Sequence, residues 1–431
     1  MNLHDMAMEA RKAFYALSVS PVQVRNQALI ALSDQLALDR EVIFAANLAD
    51  REEAEKEGLA EPLLHRLLFG EEKLHQVQAG LISLAGLPDP IGETVFCNEI
   101  CEGLKLYRVT CPIGVLGVIF ESRPDALIQI ASLAIKSGNA VLLKGGREAL
   151  RTNQALCAAV QKALACVSLP ENAAQIMETR EDVAAMLKED TLIDLIIPRG
   201  SNAFVRYIMD HSRIPVLGHS DGICHVYVDE FADERTALRV AMDSKIQNVS
   251  VCNAMETLLV HRSVAASFLP SFAKEARANG VRLLGDASTV ELISCEPATE
   301  EDWRTEYLDA ILSVRIVSSL DEAIAHINQF GSHHTDCIIT ENRDSAREFL
   351  NRVDSAGVYW NVSTRYADGF VYGFGAEVGI ATGKLHSRGP MGLDGLTTYK
   401  YKLIGHGQTM EDMKSGKLHY THRRLNEDCP L

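Results

Sequence analysis

The sequence predicts an α/β protein with two parallel-sheet domains, a helical N-terminal part and a small β arm. Three observations predict it. Residues 1–90 carry helical periodicity, with Leu29, Ile30, Leu32, Leu36 and Ile43 at helix-like spacings. From Ile113 onward, short β-branched apolar runs alternate with helical segments, the pattern of a parallel sheet covered on both faces. Two stretches, "GLKLYRVTCP" at 103–112 and "DGLTTYKYKLIGHG" from Asp394, alternate apolar and polar residues like exposed strands outside that pattern. At 431 residues the chain is too long for one compact core.

The elements follow in order. "LLHRLLFGEEKLHQVQAGLISLAGL" extends the helical region until Pro88 and Pro90 break it. "IGVLGVIF" reads as a buried strand, "DALIQIASLAIKSG" as a helix ended by Gly138, and "AVLLKGG" as the next strand. A helix from about Glu148, "AQIME", a further helix and "TLIDLIIPRGS" leading into "NAFVRYIMD" continue the alternation. Past Cys252, "ETLLVH", "VRLLGD", "LDAILSVRIV", "DCIIT" and "GVYWN" are strand-like, enough for a second α/β domain. The two outlying strands suit a protruding hairpin that pairs with another subunit.

Composition excludes several function classes. The net charge of −16 argues against a broad nucleic-acid or anionic-membrane surface, which needs clustered Lys and Arg. No run approaches the roughly 18 apolar residues of a membrane helix. The start "MNLHDMAMEARKAF" is charged and lacks an apolar signal core, so a cytoplasmic protein with reduced thiols is expected. The ten cysteines form no CxxC pair and no zinc-like Cys/His cluster, and no metal is expected.

Three segments stand out as candidates for chemistry. Lys144, Gly145, Gly146 and Arg147 end a strand just before a helix, where backbone N–H groups can receive a phosphate. By spacing alone "KGGRE" is neither GxGxxG nor a Walker pattern, and a tight turn with a solvated Lys explains it as simply. Cys252 occupies a polar, loop-like stretch immediately before a strand, whereas most cysteines of such a protein are small buried hydrophobes. The segment 365–393 is rich in glycine and carries Arg365, Lys384, His386 and Arg388 in an otherwise acidic chain. A solvated loop or a site for an anionic substrate fits it equally.

Six markers, "GVIFESRPDA", "KSGNAVLLKGG", "IIPRGS", "VCNAMETLLVH", "GAEVGIATGKLHSRGPMGL" and "TTYKYKL", occur in order along essentially the whole chain. In them the chain resembles the gamma-glutamyl phosphate reductases (glutamate-5-semialdehyde dehydrogenases) of the aldehyde dehydrogenase superfamily. The resemblance implies an aldehyde dehydrogenase-like fold: a Rossmann-type cofactor domain, an α/β catalytic domain and a small β oligomerisation arm. The corresponding division is 1–99 and 112–246 for the NADP-binding part, 247–390 for the catalytic part, and 100–111 with 391–431 for the arm and tail.

It also implies a reaction: NADPH-dependent reduction of L-glutamate 5-phosphate to glutamate 5-semialdehyde and phosphate, the second step of proline synthesis from glutamate. Cys252 corresponds to the nucleophile, which forms a thioester as phosphate leaves. Its backbone N–H is one oxyanion donor, and Ser122 or Arg123 stands where related enzymes place a second. Lys144, with Gly145 and Gly146, corresponds to the adenosine-ribose side of the cofactor site. Arg147 suits a 2′-phosphate, Gly200 and Ser201 the pyrophosphate, and Glu306 the nicotinamide ribose. Asn253, Arg365, His386 and Arg388 are assigned to the substrate. Val216 stands where hydrolytic relatives carry a water-activating Glu, so the thioester awaits hydride or phosphate. The sequence departs from the family at Asn248 and Val249, where Arg-Pro is usual. A homo-oligomer, dimer or dimer of dimers, is implied, as is association with glutamate 5-kinase. The competing functions are another acylating or hydrolytic aldehyde dehydrogenase and a catalytically silent scaffold on the same fold.

Overall fold

The structure is a computed structural model that describes residues 2–121, 123–218, 221–374 and 376–431. Five N-terminal helices run from Leu3 to Gly86. Those at Val22–Leu38 and Glu71–Gly86 bury Leu29, Leu32, Leu36, Leu74, Val77, Leu81 and Leu84 in one core. Ile30, expected on the apolar stripe, is 45% exposed, because the buried stripe follows 29, 32 and 36 and leaves position 30 on the flank.

Strands β1 (Thr94–Cys101) and β2 (Leu104–Pro112) form an antiparallel hairpin. Next, β3 (Val115–Ile119), β4 (Ala140–Lys144), β5 (Ala174–Ile176) and β6 (Leu195–Pro198) make a parallel sheet in the order β5-β4-β3-β6. The helix Pro124–Lys136 crosses from β3 to β4 and buries all but Gln129 of its residues. It is apolar all round because it lies between that sheet and the N-terminal helices.

Strands β7 (Cys224–Val228), β8 (Met255–His261), β9 (Arg282–Gly285), β10 (Glu296–Pro297), β11 (Ile311–Val317), β12 (Thr335–Ile339) and β13 (Gly357–Trp360) form a second sheet, parallel throughout, ordered β10-β9-β11-β8-β7-β12-β13. A short pair, β14 (Gly379–Ala381) and β15 (Gly389–Met391), precedes β16 (Thr397–Ile404) and β17 (Arg423–Leu425). The last two return to the hairpin and complete an antiparallel sheet β16-β2-β1-β17.

Two boundaries differ from those read in the sequence. The arm sheet begins at Thr94, not at residue 100, and gains β1. Glu99 occupies an inward position of β1, 8% exposed, and breaks the apolar alternation; Arg423 of β17 neutralises it at 2.9 Å. In addition, β7 lies before residue 247 yet belongs to the large sheet, between β8 and β12. A strand buried on both faces reads the same whichever parallel sheet it joins, so composition cannot place it. Among the described residues no helix is long and apolar enough to cross a membrane.

Candidate active site

The C-terminal ends of β3 and β6 and the chain just before β8 and β11 border one cleft of about 820 Å³. Phe120, Glu121 and Arg123 enter it after β3, and Arg199, Gly200, Ser201 and Asn202 after β6. Cys252 enters from the loop before β8, Glu306 and Leu308 from the loop before β11, and Glu377 from the glycine-rich segment. Ligand sites in open α/β sheets form where strands end, since helix N-termini and bare loop backbone collect there.

The Cys252 loop is held from several sides. The Asn248 side chain accepts the Ser250 N–H at 3.0 Å and closes the turn that leads to Cys252. Gly222 packs on the Cys252 backbone so closely that a Cβ there would lie 2.2 Å from the Cys252 carbonyl oxygen. The Cys224 thiol donates to that same carbonyl at 3.3 Å. Thr364 Oγ1 donates to the Asn253 carbonyl at 2.7 Å, and Asn253 Nδ2 to the Ala367 carbonyl at 2.9 Å. Asn253 is 5% exposed and serves this loop, away from the cleft lining.

Electrostatics keep the sulfur protonated. Burial, and then the charges of Glu306 and Glu377, push the Cys252 thiol up to about 12; its own backbone N–H and Arg199 pull the other way. Burial also raises Glu306, which accepts from Asn202 Nδ2 and the Gly222 N–H. It raises Glu377, which accepts the Gly369 N–H at 3.0 Å, and Glu121, which accepts the Ser201 N–H.

The remaining predicted residues divide by location. Arg123, Gly200, Ser201 and Glu306 share the cleft with Cys252. Ser122 lies outside the described residues. Lys144 ends β4, 7% exposed, with Nζ bound to the Gly145 carbonyl at 2.6 Å. Arg147 is mostly exposed and 3.6 Å from Glu57, in a smaller hollow beside Glu148 and Arg151. Val216 pairs beside β6 at Ile196 and packs on the core, so no carboxylate projects from that position. Arg365 binds Gln247 Oε1 at 2.9 Å and feels the charge of Cys252. His386 and Arg388 line a different hollow with Asp89 and Phe374, and Arg388 is tied to Asp354 at 3.2 Å. Both therefore lie outside the cleft that Cys252 lines, and Asp354 takes Arg388 and Lys384.

Arg199 was missed by sequence reasoning, which took "PRGS" for its glycine and serine alone. The signal available was a cation directly preceding a helix-opening Gly-Ser turn. The residues fit a dinucleotide on two counts. A Cβ at Gly145 would meet the buried Asn153 Nδ2 at 2.2 Å, so that turn is kept bare. Among the described residues no side chain caps the helix Asn202–His211, which opens beside the cleft and leaves first-turn N–H groups for a pyrophosphate.

The sequence model of the aldehyde dehydrogenase family matches residues 2–289. The chain is 53% identical over 427 residues to the gamma-glutamyl phosphate reductase of Ruminiclostridium cellulolyticum, covering 99% of each. It superposes on the crystal structure of gamma-glutamyl phosphate reductase from Thermotoga maritima with a TM-score of 0.93 at 38% identity, covering 95% of this chain and 100% of that one. An engineered glycolyl-CoA reductase with bound NADP+ shares the fold alone, with a TM-score of 0.64 at 15% identity over 94% of this chain and 97% of that one.

Proposed function

The chain belongs to the gamma-glutamyl phosphate reductases of the aldehyde dehydrogenase family, and from that premise we propose that it reduces L-glutamate 5-phosphate to its semialdehyde through a thioester on Cys252, with NADPH as reductant. The observation that carries this is the shared cleft, in which Cys252 faces the bare turn Arg199–Ser201. It is an oxidoreductase acting on an aldehyde or its acyl-phosphate precursor, in the second step from glutamate to proline. When bound, the nicotinamide cofactor supplies the hydride. Gly200, Ser201 and the opening of Asn202–His211 are suited to its pyrophosphate, Glu306 to its nicotinamide ribose, and Lys144 with Arg147 to a phosphorylated adenosine ribose.

The chain's own chemistry follows from the electrostatics. Cys252 loses its proton as it attacks, and the two carboxylates whose charges act on the sulfur, Glu306 and Glu377, are both more basic than usual because they are buried. Both line the cleft with Cys252 and are carboxylates available there to take its proton. The Cys252 N–H, directed at its own sulfur, is placed to donate to the oxyanion that grows there. Phosphate leaves as the C–S bond forms. With Val216 beside β6, no acid from that strand activates water against the thioester.

A second hollow, of about 390 Å³, meets the first at Arg123, Arg199 and Glu377. Its rim carries both signs, Lys73 against Asp125 and Asp368, which suits the ammonium and carboxylate of an amino acid. The test runs in the oxidative direction. NADP+ reduction with glutamate 5-semialdehyde should require phosphate and fall by at least about a thousandfold in Cys252→Ala, with an unchanged circular dichroism spectrum. Full turnover without phosphate would favour a hydrolytic enzyme instead.

A further inference from the structure

Arg199 is a charge that the reading above leaves without a role. It follows β6, lines both hollows, and is only partly exposed. Among the described residues no carboxylate lies within ion-pair distance of its guanidinium; its one side-chain hydrogen bond is a long 3.5 Å contact to the Glu377 carbonyl. Arg123 lines the same two hollows and is near enough for the two like charges to repel. Arg123 itself pairs with Asp125 at 3.0 Å, which Lys73 also approaches at 3.7 Å. Asp125 and Glu377 attract Arg199 from farther away, and burial outweighs them, lowering its pKa. Two cations line the junction of two hollows, and among the described residues one of them has no carboxylate in ion-pair reach, an arrangement suited to a dianion. Cys252 is on the same wall, and the charges of Arg199 and the sulfur act on each other.

We propose that Arg199, assisted by Arg123, binds the phosphate of the acyl-phosphate substrate as it departs, and the incoming inorganic phosphate in the reverse direction. The inference rests on the thioester reading above and names the group that recognises its phosphate. In the reductive direction Cys252 attacks the acyl carbon, the C–S bond forms, the C–O bond to phosphorus breaks, and the phosphate leaves with the bonding electrons onto the two guanidinium groups. In reverse a phosphate oxygen attacks the thioester carbonyl, the C–S bond breaks and Cys252 departs as thiolate. Arg fits this task better than Lys, since its planar fork can hold two oxygens at once. Arg365, the other cation acting on Cys252, lines neither hollow and has its Nε on Gln247.

The test measures the apparent KM for inorganic phosphate in semialdehyde oxidation. Arg199→Lys should raise it at least about tenfold while the KM for NADP+ stays within about twofold, and Arg123→Gln should raise it by less. An unchanged phosphate KM in Arg199→Lys, an equal rise in the NADP+ KM, or a phosphate defect in Arg365→Gln instead would overturn the assignment. A second measurement needs no variant: inorganic phosphate should slow iodoacetamide alkylation of Cys252 in the wild-type chain, where sodium chloride of equal ionic strength does not. Failure to protect would also overturn it. A wild type whose oxidation ignores phosphate would sink the thioester-reductase reading together with this one; a phosphate-dependent wild type with unaffected variants sinks this one alone.

Discussion

Cys252 is masked by its own surroundings, and that has a consequence at the scale of one residue. With its thiol pushed up to about 12, the thiolate is a minor species at neutral pH. Alkylation by iodoacetamide should therefore climb about tenfold per pH unit from pH 7 to 10. A plateau below pH 9 would contradict this environment. The neighbouring charges give the sign of two variants. Glu306→Gln removes an influence that raises the pKa and should speed alkylation at pH 8, while Arg199→Gln removes one that lowers it and should slow it. Some of this was legible in the chain. Cys252, Gly200, Ser201 and Glu306 are flagged by family motifs, and they share one cleft. His386 and Arg388 were chosen for charge near glycine, and charge alone does not say which hollow a flexible loop faces; Asp354, far from 388 in sequence terms of local pattern, claims Arg388. Gly222 and Arg199 gave weaker signals, because a close approach between two chain segments leaves no local pattern.

At the scale of elements, the helix Glu234–Ile246 is fastened to β8 by a buried ion pair, Lys245 Nζ to Glu256 Oε2 at 2.6 Å. The other oxygen of Glu256 accepts the Leu308 N–H at 3.3 Å, which reaches the loop carrying Glu306. Burial lowers Lys245 and lifts Glu256 to about 7, so desolvation costs the pair more than their attraction returns. Glu256→Ala would strand an ammonium in the core, and unfolding in urea should show a loss of about 3–5 kcal/mol. Joining Lys245→Met to Glu256→Leu should recover most of it; a double variant as weak as the single would show that the pair itself is favourable. The apolar run "ETLLVH" marks β8 in the sequence, while the helix is located by the structure. The coupling between them leaves no such mark, since Lys245 and Glu256 look like ordinary solvated charges until the two faces are brought together.

For the whole molecule, the arm sheet leaves an apolar stripe uncovered. Tyr399, Tyr401 and Leu403 alternate along β16 and are 53%, 58% and 57% exposed on one face of an edge strand. A second copy of the chain is the occupant expected there. Light scattering should give a dimer or larger assembly for the wild type and a monomer for Tyr401→Asp with Leu403→Asp; an unchanged mass would move the interface elsewhere. The sequence by itself determined the α/β class, much of its strand–helix alternation and the family, and it singled out Cys252, because periodicity and short motifs are properties of neighbouring residues. Tertiary structure alone decided that β7 joins the large sheet, that β1 and β17 complete the arm, and that Arg123 and Arg199 meet beside Cys252. Those outcomes depend on which buried surfaces and charges come together across long separations, and the physics that chooses them acts through space and not along the chain.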